Sequence, residues 1–134
     1  MTAHNQRVRI LLVEDDNHIG RIIEMALPEL GVPYEFVTVL GAEEGLELWE
    51  QQPFDLVVAD YNLRGMSGMQ LIEALKARGA TVPTVMVTAY DTDVLRRQAR
   101  ALGVNAYLPK PFFIDQLIET LRDLLNQSKA RAIG

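Results

Sequence analysis

Apolar residues recur along the chain in two alternating patterns, one typical of strands and the other of amphipathic helices. Three segments are short and apolar at nearly every position, as strands covered on both faces of a parallel sheet should be: 8–13, 54–59 and 82–89. A fourth segment, 34–39, alternates apolar with polar residues, and a very short fifth one covers 106–108. The pattern therefore predicts five strands.

Apolar residues three or four positions apart lie between these strands and predict amphipathic helices. The predicted helices are 19–30, 43–52, 69–78, 91–102 and 114–125. Pro28 lies inside the first helical pattern, where its ring removes a backbone hydrogen bond and clashes with the preceding turn. We therefore expect the first helix to bend or end near Leu27. Gly79 is expected to end the third helix.

Strands and helices thus alternate in five successive βα units, which is typical of an α/β fold. Right-handed crossovers between such units give a doubly wound, five-stranded parallel sheet with helices on both faces. We expect one domain at 8–126, preceded by a polar N-terminal tail at 1–7. Residues 127–134 are predicted to be a frayed polar tail or the start of a linker.

The composition is that of a globular domain and excludes several classes of protein and of functional site. Of 134 residues, 49% are hydrophobic and 23% charged, which excludes a disordered chain. The absence of cysteine excludes disulfides, thiolate metal sites and a cysteine nucleophile. The net charge of -5 disfavours attraction to nucleic acid or an anionic membrane, and no apolar run reaches the ~20 residues of a membrane helix. We expect a soluble, cytoplasmic protein.

Polar residues follow the predicted strands at the ends where open parallel sheets bind their ligands. They are Glu14, Asp15, Asp16, Asp60, Asn62, Thr88 and Lys110. Each has an ordinary structural explanation: Asp16 or Asn17 can cap a helix, Asp60 can lie in a turn, and Lys110 can be solvated. The arrival of such groups from several strands at one edge nevertheless favours a functional site.

The acids at this edge need a compensating charge. Two carboxylates about 4 Å apart repel by about 4 kcal/mol at an effective dielectric constant of about 20, and Lys110 offsets only one of them. All the donors are oxygens, and neither His4 nor His18 is placed to join them, so the set favours Mg²⁺, with Mn²⁺ as the alternative ion. An aspartate beside such an ion, an ammonium and a hydroxyl is suited to accept a phosphoryl group.

Taken in order, these residues resemble the receiver domains of two-component response regulators, the CheY-like domains, over about 8–126. The resemblance rests on the acid pair Glu14-Asp15, Asp60 with Asn62 and the loop-closing Gly68, Thr88 with Ala89, Tyr107, and Lys110-Pro111. It implies a flavodoxin-like sheet with strand order 2-1-3-4-5.

The resemblance also assigns roles to the matching positions. Asp60 is implied to be the phospho-acceptor, assisted by Lys110 and Thr88. The implied metal ligands are Glu14, Asp15, Asp60 and the backbone carbonyl of Asn62. The implied switch residues are Thr88, Ala89 and Tyr107. The Lys110-Pro111 bond is implied to be cis, and Asn62 and Tyr90 are implied to set the dephosphorylation rate.

The implied function is a signalling module that catalyses its own phosphorylation and dephosphorylation and turns over no external substrate. Its partner is a histidine kinase or a histidine phosphotransfer protein, and phosphorylation changes the face formed by the fourth helix, fifth strand and fifth helix. A monomer or a weak phosphorylation-dependent dimer is implied. We expect no DNA binding by this chain, because no helix-turn-helix follows the domain. The chain is either a stand-alone regulator or the N-terminal part of a longer protein.

The chain departs from the family pattern at three positions. Arg64 replaces the usual proline, which predicts a looser loop; Pro28 interrupts the first helix; and Asp16 adds a third acid. Because none removes a reactive group, we expect phosphorylation competence. The alternatives are an interaction-only pseudo-receiver or an aspartate-nucleophile phosphatase of the haloacid dehalogenase type, although the latter begins with Asp-x-Asp. A flavodoxin-like nucleotide binder is excluded, because three acids repel phosphate.

Overall fold

Five parallel strands form a single sheet in the computed structural model, which describes residues 7–133 and the side chains of 7–128. The strands are β1 (Val8–Val13), β2 (Tyr34–Val39), β3 (Leu56–Asp60), β4 (Thr84–Thr88) and β5 (Ala106–Pro109). They pair in the order β2-β1-β3-β4-β5, so the predicted topology is confirmed. The carboxyl ends of all five strands consequently meet at one edge of the sheet.

A helix follows each strand. The helices are α1 (Asn17–Ala26), α2 (Ala42–Gln51), α3 (Gly68–Ala77), α4 (Asp93–Leu102) and α5 (Ile114–Ile133). Polar side chains fix where three of them begin by accepting hydrogen bonds from first-turn N–H groups. Asp16 accepts from His18, Ser67 from Gln70 in a capping box, and Thr92 from Leu95. Of the two candidate caps of the first helix, the structure thus selects Asp16.

Pro28 ends the first helix as predicted. Helix α1 stops at Ala26, and a short 3₁₀ helix, Leu27–Leu30, holds Pro28 in its first turn. An N–H group in that position has no partner within the helix, so no helical hydrogen bond is lost when the residue is proline.

Each face of the sheet carries its own hydrophobic core, because side chains alternate along a strand. On β1, Ile10 and Leu12 face one cluster, which includes residues of α1 and α5. Leu11 and Val13 face the other, which includes residues of α2 and α3. Both faces are therefore covered, as the apolar strands predicted.

The last helix is longer than the predicted 114–125. Helix α5 continues to Ile133; the Lys, Ala and Arg residues within 127–133 are good helix formers, and polarity alone does not end a helix. In the loop after β3, Arg64 stands where the family pattern has proline and forms a parallel β-bridge with Gly41. Arginine retains the backbone N–H that proline lacks, so the backbone at this position can still donate a hydrogen bond.

Gly68 allows the loop after β3 to close tightly against the strand end. Its N–H donates to the Tyr61 carbonyl at 2.9 Å. A Cβ atom at position 68 would lie 2.2 Å from the carbonyl oxygen of Asp60, which is a backbone atom that cannot rotate away. Glycine is therefore required where α3 starts beside Asp60.

Replacement of two glycines should consequently have opposite effects. Gly68→Ala should lower the free energy of unfolding by about 2 kcal/mol or more, because the loop must shift away from Asp60. Gly20→Ala, in α1, should raise it by about 0.5–1 kcal/mol, since a Cβ there meets only ordinary contacts at 3.8 and 3.9 Å. Urea unfolding followed by the fluorescence of the single tryptophan, Trp49, measures both. Equal effects would contradict the steric explanation.

Candidate functional site

Backbone hydrogen bonds extend the sheet past the ends of its strands and hold the polar residues in place. They run from the N–H of Glu14 to Val39 O (3.0 Å), of Tyr61 to Val87 O (2.9 Å) and of Lys110 to Thr88 O (2.7 Å). The backbone hydrogen bonds of the sheet, rather than flexible loops, thus position the residues that directly follow the strands.

Three carboxylates meet at this edge. One oxygen each from Glu14, Asp15 and Asp60 lies within 4.8 Å of the others. Glu14 and Asp60 are buried, whereas Asp15 is exposed. The third consecutive acid, Asp16, turns to the α1 N-terminus as its cap. The contiguous acids of the sequence therefore divide between a site and a helix cap.

Lys110 places its ammonium between the two buried carboxylates. Its Nζ lies 2.9 Å from Glu14 Oε1 and 3.5 Å from Asp60 Oδ1. The resemblance implies that Lys110 assists Asp60, yet its ammonium is closer to Glu14. Glu14 is the more deeply buried of the two, with 1% of its side chain exposed against 7% for Asp60, and a buried carboxylate requires a direct hydrogen bond. The Lys110-Pro111 peptide bond is cis.

The pKa values of the pair reflect this burial. Burial raises the pKa of Glu14 to about 7, against the opposing effect of the Lys110 hydrogen bond. Burial also acts to lower the pKa of Lys110, but its hydrogen bond to Glu14 and the charge of Asp60 outweigh that effect and raise it. Lys110 therefore remains an ammonium, and Glu14 can exchange a proton near neutral pH because burial raises its pKa to about 7.

The donor set fits a divalent cation that prefers oxygen. Three carboxylates face one ammonium, so the cluster retains excess negative charge when all are ionised. Mg²⁺ is bound through few carboxylates and keeps several waters, which the exposed side of Asp15 permits. Asn62, whose carbonyl is the remaining implied ligand, lies in the exposed stretch of loop just after Asp60.

Thr88 occupies the end of β4 beside the acids. Its side chain is fully buried, and its Oγ1 accepts a hydrogen bond from the Tyr90 N–H at 2.9 Å. The two residues that follow, Ala89 and Tyr90, are exposed. A buried hydroxyl thus lies next to a loop that has access to solvent.

Tyr107 lies on β5, opposite Met86 of β4, and its ring packs against the core cluster of the α2 and α3 face. Burial and then the charge of Asp91 raise the pKa of its hydroxyl. The Arg96 guanidinium carbon lies 4.9 Å from the ring centroid. Sequence reasoning missed Arg96 and Asp91, because a charge pair five positions apart across a helix start follows no helical spacing rule.

Fold and site together define an α/β domain with an acid cluster, a hydroxyl and an ammonium at the carboxyl edge of its sheet. The sequence model of the response regulator receiver domain matches residues 10–122. The chain belongs to this family and is the receiver domain of a two-component response regulator.

Curated relatives agree with this assignment. The chain is 34% identical over 122 residues to the transcriptional regulatory protein TctD of Salmonella typhimurium, covering 90% of this chain and 53% of TctD. It is 32% identical over 124 residues to PcoR of Escherichia coli, covering 92% and 54%. The chain therefore spans about half the length of these relatives.

Solved structures agree as well. A CheY-like receiver domain protein from Methanospirillum hungatei is 30% identical and superposes with a TM-score of 0.82, covering 94% of this chain and 99% of that one. A receiver domain from Vibrio parahaemolyticus superposes at 0.88 with 22% identity, covering 95% and 96%, which supports the fold alone. Within residues 7–133, no helix has both the length and the apolar character needed to cross a membrane.

We predict that Mg²⁺ raises the melting temperature of the protein, because binding to the folded state alone stabilises it. About 10 mM Mg²⁺ should suffice for a site with few carboxylates. Glu14→Gln should lose most of the shift, whereas Asp16→Asn should keep most of it, since asparagine still caps α1. An unchanged melting temperature of the wild type in Mg²⁺ would exclude the site.

The shift should also depend on pH. The folded protein holds the Glu14 proton between about 4.5 and about 7, where the unfolded chain has released it, so this group lowers metal-free stability as pH rises through that window. Because Mg²⁺ binds the carboxylate, its stabilising effect should be larger at about pH 8 than at about pH 6. A shift independent of pH would contradict the role of Glu14.

Proposed function

We propose that the domain accepts a phosphoryl group from a phosphohistidine, on a histidine kinase or a phosphotransfer protein, onto Asp60. The observation that carries this proposal is the position of the Lys110 ammonium, 2.9 Å from Glu14 and 3.5 Å from Asp60. It leaves the Asp60 carboxylate beside a cation at the open edge of the sheet, where a donor can approach.

The transfer forms one bond and breaks another. An oxygen of Asp60 attacks phosphorus as the bond from phosphorus to the donor imidazole nitrogen breaks, and the nitrogen keeps the electron pair. Lys110 offsets charge on the phosphoryl oxygens. Glu14, Asp15 and Asp60 are the residues that would hold Mg²⁺, with the Asn62 carbonyl as the further ligand that the resemblance implies. When bound, the ion supplies further neutralisation of those oxygens. Hydrolysis of the acyl phosphate by water then resets the domain.

Thr88 is suited to report the phosphoryl group. A hydroxyl has one donor and two acceptor sites, so Thr88 can keep accepting from the Tyr90 N–H while its own O–H donates to a phosphoryl oxygen. That bond draws the loop after β4 inward and alters the space next to Tyr107 on the adjacent strand. The face of α4, β5 and α5 then changes and is read by a partner.

In this proposal the chain is a signalling module rather than an enzyme acting on an external substrate. TctD and PcoR are transcriptional regulatory proteins, and the chain matches about half of each. A role in transcriptional control and a cytoplasmic location are therefore proposed at the level of the family only.

Asp60→Asn tests the acceptor directly. With Mg²⁺ and a small acyl-phosphate donor, the wild type should gain one phosphate by intact-protein mass spectrometry and this variant none, since the amide is not a nucleophile. Asp16→Asn is the matched control and should label like the wild type. Labelling that survives Asp60→Asn refutes the assignment, an unlabelled wild type indicates an interaction-only receiver, and steady release of phosphate from esters indicates a phosphatase.

Tyr90 should slow the loss of phosphate. Its side chain is 57% exposed at the start of the loop that follows Thr88, and it offers an aromatic obstacle without a carboxylate to orient water. Tyr90→Ala should therefore shorten the lifetime of the phosphorylated protein several-fold, as measured by phosphate release. Val94→Ala, at a residue 58% exposed on α4, should leave it unchanged. Equal lifetimes for Tyr90→Ala and wild type would show that Tyr90 does not flank the path of the water.

Thr88→Val should uncouple phosphorylation from the surface change. Valine keeps the branched shape but cannot donate to a phosphoryl oxygen, so the variant should accept phosphate more slowly and lose most of the response. Amide NMR shifts over 88–112, with and without beryllofluoride as a phosphoryl mimic, measure that response. Thr38→Val, at an exposed threonine of β2, is the control. A full response in Thr88→Val would contradict this route.

A further inference from the structure

A charge pair spans the start of α4, immediately after the loop that carries Thr88. The Arg96 Nε donates to Asp91 Oδ1 at 2.6 Å and one terminal nitrogen donates to Oδ2 at 2.8 Å, so the pair is bidentate. Two parallel hydrogen bonds fix the plane of the guanidinium as well as its position. Asp91 lies three residues after Thr88 and outside the helix, so the pair ties the loop to α4.

The fixed guanidinium covers the ring of Tyr107. Its central carbon is 4.9 Å from the ring centroid, within the range of an attractive cation–π contact. The tyrosine also packs on the core cluster that contains Met86. The ring therefore contacts both the core of the sheet and an arginine whose orientation is set by Asp91.

The hydroxyl of Tyr107 faces the same charge pair. Its oxygen is buried and makes no well-formed hydrogen bond with the described side chains and backbone, although burial and then the nearby Asp91 carboxylate, by its charge and as a hydrogen-bond partner, raise the pKa of the hydroxyl. A buried hydroxyl with such weak pairing contributes little to the inward position of the ring. Packing and the Arg96 contact must therefore supply most of the stabilisation, so loss of Arg96 should release the ring.

We propose that Arg96 is a positioning residue that holds Tyr107 inward, and that Asp91 links this hold to the loop after Thr88. The inference deepens the proposed function, since it gives the mechanical connection between Thr88 and Tyr107. When Thr88 draws the loop inward, Asp91 moves with it and carries the guanidinium across the ring. The connection runs along three residues of backbone and one bidentate pair.

The stabilisation that Arg96 gives to the inward position of Tyr107 is of a size that suits a conformational switch. The side chains of Arg96 and Asp91 are 45% and 36% exposed, and exposed ion pairs contribute little on their own. Together with the ring contact, the pair should bias the inward position of Tyr107 by about three- to ten-fold. A bias of this size favours one position of the ring without locking it.

The test follows the exposure of Tyr107 in the unphosphorylated protein. The chain has four tyrosines, so ring-labelled tyrosine NMR gives few signals, and Tyr107→Phe identifies the one required. In Arg96→Gln, relaxation of the Tyr107 ring protons by a soluble paramagnetic agent should rise about three-fold. Arg97→Gln is the matched control, because Arg97 donates only along its own helix to the Asp93 carbonyl.

Two further variants separate positioning from general loosening. Asp91→Asn should give a smaller increase, and the double variant should be no more exposed than Arg96→Gln alone, as expected for residues that act as a unit. Arg96→Lys should rescue only in part, since it keeps the charge and loses the planar fork.

The proposal is overturned if Arg96→Gln leaves the exposure of Tyr107 unchanged, if Arg97→Gln has the same effect, or if Asp91 and Arg96 act additively. Because the measurement needs no phosphoryl group, it stands or fails separately from the labelling of Asp60. Unchanged Trp49 fluorescence confirms that each variant is folded, since Trp49 lies on α2, away from α4.

Discussion

The ammonium of Lys110, shared between two buried carboxylates, is the interaction on which the site depends. A parallel sheet gathers whatever follows its strands at one edge, and here it gathers three acids. Glu14 and Asp60 can be buried there because the backbone of Lys110 continues the β4–β5 ladder, which carries the ammonium to within 2.9 and 3.5 Å of them. Without that cation the two carboxylates would be buried without a counter-charge, and protonation or local opening would follow.

The buried sheet and the exposed segments around the site have different roles. The two cores hold the strands and therefore the positions of Glu14, Asp60, Thr88 and Lys110, while Tyr90 and much of α4 stay in solvent. In the proposed function, charge added at Asp60 would therefore change little in the sheet and would act on the loop that follows Thr88. Helix α4 buries only Leu95 and Ala99, so it can shift at a smaller cost in buried area than α3, which buries Leu71, Ile72 and Leu75.

The local sequence around the site supports the same arrangement. Gly68 lets α3 begin against the Asp60 carbonyl, and Asp16 caps α1, which keeps this acid out of the Glu14–Asp15–Asp60 cluster. The bridge between Arg64 and Gly41 ties the loop after β3 to the loop after β2. The glycine, the helix cap and the bridge thus favour the same structure as the overall topology, as expected of a sequence that specifies one structure.

The strands, the alternation of strands and helices, the break at Pro28 and the polar residues at the strand ends could all be predicted from the sequence. These follow from hydrophobic periodicity, proline stereochemistry and the geometry of parallel sheets, which are local or generic rules. The strand order came from the resemblance to receiver domains. The tertiary structure was needed to show that Lys110 lies nearer to Glu14 than to Asp60, that Asp16 rather than Asn17 caps α1, and that Arg96 covers Tyr107. Each of these is a competition between alternative partners, and its outcome depends on burial and on distances between residues, which no spacing in the sequence records.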